Sequence, residues 1–168
     1  MSEKPRVLIE DWMPIEQIGA ESLRDASAAK KPPLSRLHVW WARRPLTVSR
    51  AAILGSLLPA WSTDWPSDLR KKFPTRDTYH EWFLKLMGIL GDPAIGRRIL
   101  LAARDQGVAV PNPYGYPRAF TYQPKMEQIE TVQSLLRYAW RNVDPAVMDC
   151  FAGGGLIPFE SLRYGFVE

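Results

Sequence analysis

Apolar residues recur along this chain at intervals of three and four, the spacing of amphipathic helices, and proline, glycine and aspartate separate the periodic segments. The pattern predicts helices over Glu16–Ala29, Leu46–Leu58, Asp77–Leu90, Asp92 to near Gly107, and Pro124–Arg141. Asp92-Pro93 supplies an N-cap and a first-turn proline for the fourth of these. We therefore expect a mainly helical body.

The stretch "VMDCFAGGGLIPFESLRYG", Val147 to Gly165, breaks this pattern. The apolar run Ala146–Met148 suits a buried strand of a parallel sheet. Gly153–Gly155 allow backbone conformations and close approaches that side chains would forbid. Pro158 is tolerated in a first helical turn, and Gly165 suits a helix end. The segment predicts a strand, a glycine loop and a helix.

A helix that starts behind a glycine loop offers amide donors and a partial positive charge to an anion. Neither the dinucleotide pattern nor the phosphate-loop pattern fits this loop. Asp149 at the strand end adds a negative charge, so the loop suits a ligand with both an ammonium and a carboxylate group, such as the methionine part of S-adenosylmethionine. The alternative from the residues alone is a flexible turn without a ligand.

Two segments resemble one known family. Asp149 to Gly155, with the residues up to Gly165, looks like the cofactor motif of amino-group DNA methyltransferases, usually Asp-Pro-Phe-x-Gly-x-Gly. "PPLSRLHVWWARRPLTVSRAAILGSLLP", Pro32 to Pro59, resembles the N-terminal signature of large adenine-specific DNA methylases that open with domain of unknown function 1156. The resemblance implies that Asp149, Phe151, Ala152, Gly153 and Gly155 bind S-adenosylmethionine. Cys150 departs from it, standing where the family has proline.

The resemblance also implies a segment that covers the methionine end of the cofactor. "HVWWARRP", His38 to Pro45, looks like this segment and places Trp41, Arg43 and Arg44 near the cofactor. From the residues alone, a core tryptophan and solvated arginines are the alternative. "YGYPRAFTYQP", Tyr114 to Pro124, is a rival for the same role, and its aromatic and basic residues also suit an unpaired base.

The fold class that follows is α/β, the start of a Rossmann-like S-adenosylmethionine-dependent methyltransferase domain behind a mainly helical N-terminal region. We divide the chain into the signature region 1–75, a helical insertion with a proline-aromatic loop at 76–123, and the incomplete methyltransferase unit 124–168. The Asp/Asn-Pro-Pro-aromatic motif that holds the target amine in related enzymes does not occur, and Asn112-Pro113-Tyr114 lacks the second proline. We therefore expect an N-terminal fragment without a catalytic residue of its own, inactive alone.

Composition changes this interpretation little. The 46% hydrophobic and 24% charged content suits a folded domain, and a formal charge of +4 is compatible with DNA without requiring it. Cys150, expected inside a buried loop, is the single cysteine, which favours a reducing cytoplasm. No apolar run is long enough for a membrane span. His38 and His80 stand apart, so we predict no metal site.

The sequence thus predicts an S-adenosylmethionine-dependent DNA methyltransferase segment, with adenine N6 as the target by resemblance. Its expected partners are DNA, through the complete enzyme, and the remainder of a split or truncated methyltransferase, but no membrane. The alternative is a non-enzymatic DNA-binding or assembly module that retains a vestigial glycine loop.

Overall fold

The computed structural model describes residues 5–26, 46–141 and 145–166, and these ranges are dominated by α-helices. The helices are α1 (Leu8–Asp11), α2 (Ile15–Ala26), α3 (Leu46–Leu57), α4 (Ser67–Lys72), α5 (Arg76–Leu86), α6 (Pro93–Asp105), α7 (Met126–Trp140) and α8 (Leu156–Arg163). A short 3-10 turn spans Ala119–Thr121. Within the described ranges, no helix has the length and hydrophobicity needed to cross a membrane.

Helix α3 lies at the centre of the packing. It contacts α1, α2 and α8, although α8 is about a hundred residues further along the chain. Leu54 in α3 and the adjoining Leu58 are fully buried. The backbone amide of Leu8 donates to the Leu58 carbonyl at 2.8 Å, which ties the N-terminal segment to the end of α3.

An aromatic cluster fills the space between α4, α5 and the segment before them. The ring centroid of Tyr79 lies 5.0 Å from that of Trp65 and 5.1 Å from that of Phe73, both in edge-to-face geometry. The Tyr79 hydroxyl donates to the Pro59 carbonyl at 2.9 Å, so the buried phenol is hydrogen-bonded. Aromatic packing of this kind adds stability beyond the area it buries, and it fixes α5 against the end of α3.

The five predicted helices occur, with shifted ends. Asp92 caps α6 as expected, its Oδ1 accepting from the amides of Ala94 at 2.8 Å and Ile95 at 3.2 Å. The helix predicted to run to Leu90 ends at Leu86, because Gly88 takes a positive φ of 81° and passes close to the 119–122 segment. The first helix is described to Ala26; its predicted continuation to Ala29 lies outside the described residues.

The expected α/β fold is wrong. The described ranges contain helices and turns and no β-strand, and Val7 and Pro59 form an isolated bridge rather than part of a sheet. Ala146 to Met148 do not form the buried strand on which the Rossmann-like prediction rested, and the Met148 side chain is 85% exposed. A parallel strand is stable only when neighbouring strands take up its backbone hydrogen bonds. In this run the structure shows a single bridge position, at Ala146, and no strand.

Candidate functional site

The loop between Asp149 and Gly155 is closed by its own hydrogen bonds. Asp149 Oδ1 accepts from the Phe151 amide at 3.0 Å, and the Gly155 amide donates to the Ala152 carbonyl at 2.8 Å. Gly153 and Gly155 have φ angles of 56° and 71°, in the left-handed region that glycine adopts without strain. A Cβ on Gly155 would meet no atom of the described residues within 4 Å, so the backbone conformation, not crowding, calls for glycine there.

The loop leads directly into the N-terminus of α8. Gly155 is the N-cap residue and caps the helix without a side-chain hydrogen bond. Pro158 falls in the first turn and Gly165 just past the last, as the sequence predicts. The first amides of a helix and its dipole favour an anionic group at this end. The half-buried Asp149 carboxylate at the start of the loop offers the opposite charge.

The loop faces solvent. Phe151 is 92% exposed, and Leu162, on α8, is 62% exposed. Cys150 is also exposed, which corrects its expected place inside a buried loop. The strand prediction and the buried-cysteine prediction fail together, because both assumed a sheet beside the loop. The described part of the chain therefore presents the loop as an open surface.

A buried ion pair anchors α8 to α3. Arg50 and Glu160 are both fully buried, with Arg50 Nε 2.7 Å from Glu160 Oε2 and an Arg50 terminal nitrogen 3.1 Å from Glu160 Oε1. Arg50 also donates to the carbonyls of Met87 at 2.9 Å and Ala119 at 3.2 Å. Burial alone would lower the pKa of Arg50, but Tyr164 and Glu160 raise it above its ordinary value. Arg50 therefore remains a cation that joins three distant segments.

A second arginine shares the same carboxylate. Arg163 donates to Glu160 Oε1 at 2.8 Å and to the Tyr122 carbonyl, and its side chain is 15% exposed. The adjacent Tyr164 hydroxyl is buried and donates to the Leu86 carbonyl at 3.0 Å. Burial raises the pKa of Tyr164 far above its ordinary value, so it stays a neutral donor. These contacts fix the C-terminal part of α8 against α3, the end of α5 and the segment around Tyr122.

A second polar cluster joins α2 to the segment 114–122. The Arg24 guanidinium donates to Glu21 at 2.8 Å and to the Tyr116 carbonyl at 2.6 Å, and the Tyr116 hydroxyl donates to Glu21 at 2.6 Å. Asp25 Oδ2 accepts from the Thr47 hydroxyl at 2.9 Å, while the buried Oδ1 of Asp25 has no hydrogen-bond partner among the described residues. Burial raises the pKa of Asp25 to about 6. This cluster contacts α3 through Thr47, and the Arg50 cluster begins one helical turn further along the same helix.

An open groove of about 540 Å³ lies beside α8. Its apolar lining comes from Leu46, Phe120, Ile129 and Phe159, and its polar lining includes Thr121, Gln123 and Arg163. The segment Tyr114–Pro124, one of the two predicted covers of the cofactor, thus lines a groove against α8. Its rival His38–Pro45, with Trp41, Arg43 and Arg44, lies outside the described residues.

Asp149, Phe151, Ala152, Gly153 and Gly155 lie in the loop before α8, and their role in binding a cofactor stays a prediction. Sequence reasoning missed the role of Arg50 and Glu160. A signal for Arg50 was present, because it lies among leucines and isoleucines on the inward face of α3, where a charged residue requires a partner. Nothing local in the sequence identifies that partner as Glu160.

The comparisons with known proteins identify one part of the chain. Residues 12–84 match the family described as Protein of unknown function (DUF1156). No curated protein and no solved structure matches the chain. The match confirms the predicted domain of unknown function 1156 for this segment, which spans α2 to most of α5 and includes Arg50. The partners of Arg50 (Met87, Ala119 and Glu160) lie beyond the DUF1156 segment, so Arg50 links that segment to α8, the helix that follows the glycine loop.

Proposed function

We propose that this chain supplies the cofactor-binding loop of an S-adenosylmethionine-dependent DNA methyltransferase that acts on an exocyclic amino group, by resemblance the N6 of adenine. The observation that carries the proposal is the loop of residues 149–155. The loop contains the Asp149 carboxylate and two glycines, Gly153 and Gly155, with left-handed backbone conformations, and it leads into the N-terminus of α8. The buried ion pair between Arg50 and Glu160 anchors α8 to the DUF1156 segment.

The chemistry of these groups fits the methionine part of S-adenosylmethionine. The carboxylate of that ligand suits the first amides of α8, which have no side-chain cap. The ammonium group of S-adenosylmethionine suits the Asp149 carboxylate. Within the loop, Asp149 Oδ1 accepts a hydrogen bond from the Phe151 amide. The absence of a Cβ at Gly154 and Gly155 leaves open space for close approach to the main chain.

A bound S-adenosylmethionine would supply an activated methyl group for direct transfer to the amine. The residues of this chain would bind and orient that ligand, with Asp149 and the loop backbone at its charged end. Arg50 and Glu160 would act indirectly, by holding α8 so that the first helical amides and Asp149 keep their relative positions. Orienting the reacting groups is a large part of such catalysis. We assign no catalytic residue to this chain, so we expect it to transfer no methyl group to DNA alone.

Calorimetric titration of S-adenosylmethionine into the 168-residue chain tests the proposal. We expect binding that Asp149→Ala abolishes. Asp92→Ala is the matched control, because the Asp92 carboxylate likewise accepts from nearby backbone amides but lies at the start of α6. Circular dichroism should show that both variants are folded. A folded chain that does not bind, or an Asp149→Ala variant that binds equally well, would contradict the proposal and favour the module with a vestigial loop.

A further inference from the structure

Helix α6 turns its small residues inward and leaves its large apolar residues at the surface. Gly96 lies against Tyr114, and a Cβ on Gly96 would stand 2.4 Å from a ring carbon of Tyr114. The other buried residues of α6 are Pro93 and Ala103. The large aliphatic side chains of α6 remain 42–46% exposed, namely Ile95, Ile99, Leu100 and Leu101. A helix usually buries such side chains against the core, so α6 offers a further apolar contact surface.

The outward face of α6 carries Leu101 among charged residues. On a helix, residues three and four positions apart are neighbours. Leu101 therefore has Arg97 and Arg104 on one side, and it has Arg98 and Asp105 on the other. These four charged residues are exposed, and none of the three arginines forms an ion pair with a described residue. The surface is thus apolar at its centre and carries net positive charge at its rim.

The arrangement of these charges disfavours a second copy of the chain as the partner. Antiparallel pairing of two α6 helices across Leu101 would bring Arg97 of each chain next to Arg104 of the other, and these like charges repel. On the other side, Arg98 and Asp105 would attract each other, so the two edges would cancel. A partner helix with carboxylates around an apolar centre can instead pair with all three arginines.

The apolar residues disfavour other anionic partners. A phosphate backbone would pair with the arginines but leave Leu101 without an apolar contact. A helix that binds a membrane surface inserts one broad apolar face, whereas in α6 the apolar residues are divided. Ile99 lies one turn from the buried Ala103, Leu100 lies one turn from the buried Gly96, and Leu101 lies among the arginines. This surface therefore fits a protein helix best.

We infer that α6 is a docking surface for an acidic amphipathic helix of a partner protein. The apolar side of the partner helix contacts Leu101 and the neighbouring exposed aliphatic side chains, and its carboxylates pair with Arg97, Arg98 and Arg104. Helix α6 lies outside the DUF1156 segment and outside the glycine loop. The inference is therefore independent of cofactor binding and of methyl transfer.

Fluorescence anisotropy with two labelled synthetic helices tests the inference. The acidic probe has three heptads, about 21 residues, with leucine at the a and d positions and glutamate and alanine elsewhere. The basic probe has lysine in place of every glutamate. We expect the 168-residue chain to bind the acidic probe, with an affinity that falls as salt rises. The basic probe should bind at least about tenfold more weakly.

Charge reversal on α6 gives the most specific variant. Arg97→Glu together with Arg104→Glu should exchange the preference, so that the basic probe binds more tightly than the acidic probe. The matched control is Arg70→Glu together with Lys71→Glu, because these two exposed residues of α4 change the net charge by the same amount. The control should still prefer the acidic probe. Leu101→Ser should weaken binding of the acidic probe about tenfold, and circular dichroism should show that every variant is folded.

The other occupants are outcomes of further measurements. Failure of the folded chain to bind the acidic probe, equal binding of both probes, or a control pair that also exchanges the preference would overturn the inference. A dimer in sedimentation velocity that Leu101→Ser dissociates would overturn it as well, by assigning the surface to a second copy. Tighter binding of phosphatidylglycerol vesicles or of duplex DNA than of the acidic probe, lost in the Arg97→Glu and Arg104→Glu variant, would also overturn it.

Discussion

The buried pair between Arg50 and Glu160 makes a strong prediction about stability. Arg50→Met keeps a long apolar side chain but removes the cation, and it leaves the Glu160 carboxylate buried with Arg163 as its remaining ion-pair partner. The carbonyls of Met87 and Ala119 lose a donor as well. Removing one partner of a buried ion pair costs about 3–5 kcal/mol. Since small domains are stable by about 5–15 kcal/mol, this loss is a large part of the total.

The assay is urea unfolding followed by far-UV circular dichroism. Glu127→Gln is the control, because Glu127 pairs with Lys72 at 3.5 Å with side chains 80% and 38% exposed, and such pairs contribute well under about 1 kcal/mol. The double variant Arg50→Met with Glu160→Leu should be more stable than Arg50→Met alone, because neither of the two fully buried charges then remains. Arg163 loses its carboxylate partner, but it keeps the Tyr122 carbonyl and its side chain is 15% exposed. The reasoning is refuted if Arg50→Met lowers the free energy of unfolding no more than Glu127→Gln does. It is also refuted if the double variant is less stable than Arg50→Met by the whole loss that Glu160→Leu causes alone.

Two further predictions concern Asp25 and Gly88. The pKa of Asp25 is raised by burial from 3.8 to about 6, so the folded state binds this proton more tightly than the unfolded state and stability should rise as the pH falls from about 7 to about 4. The free energy of unfolding should rise by at most about 3 kcal/mol over this range. Urea titrations at several pH values should show this rise for the unaltered chain and not for Asp25→Asn. If Asp25→Asn shows the same pH dependence as the unaltered chain, the prediction is refuted. Gly88→Ala should cost at least about 2 kcal/mol, because φ is 81° and the new Cβ would lie 2.6 Å from the Tyr122 Cβ and 2.9 Å from the Ala119 oxygen. The control is Gly107→Ala, measured in the same way by thermal unfolding, because Gly107 has a φ of 66° but no atom of the described residues lies within 4 Å of the new Cβ. Equal losses of stability in the two variants would show that crowding at Gly88 makes no contribution.

The helical part of the fold could be predicted because its determinants are local. Asp92 and Pro93 specify the start of α6 through their own side chains, and the periodic apolar residues of α7 specify its buried face. The short helices α1 and α4, of four and six residues, were missed because they are too short to show a period. The early end of α5 depends on the contact of Gly88 with residues 119–122, which lie more than thirty positions away.

The errors at the glycine loop have a different cause. An apolar run such as Ala146–Met148 fits a buried strand, but a strand exists only where another strand pairs with it, and the described residues contain none for this run. The loop itself depends on Gly153, Gly155 and the turn at Asp149, which are local, so its conformation was predictable. The Arg50–Glu160 pair joins residues 110 positions apart, and only the tertiary structure shows it.

Backbone amide NMR spectra of the chain, recorded during titration with S-adenosylmethionine, test the central claim most directly. The account predicts that the amide signals of Gly153, Gly154 and Gly155 shift, together with those of the first turn of α8, while Gly107 and Gly115 remain unchanged. Shifts confined to Thr121 and Gln123 in the groove, or no shifts in a folded chain, would contradict the claim that the glycine loop is the cofactor-binding site.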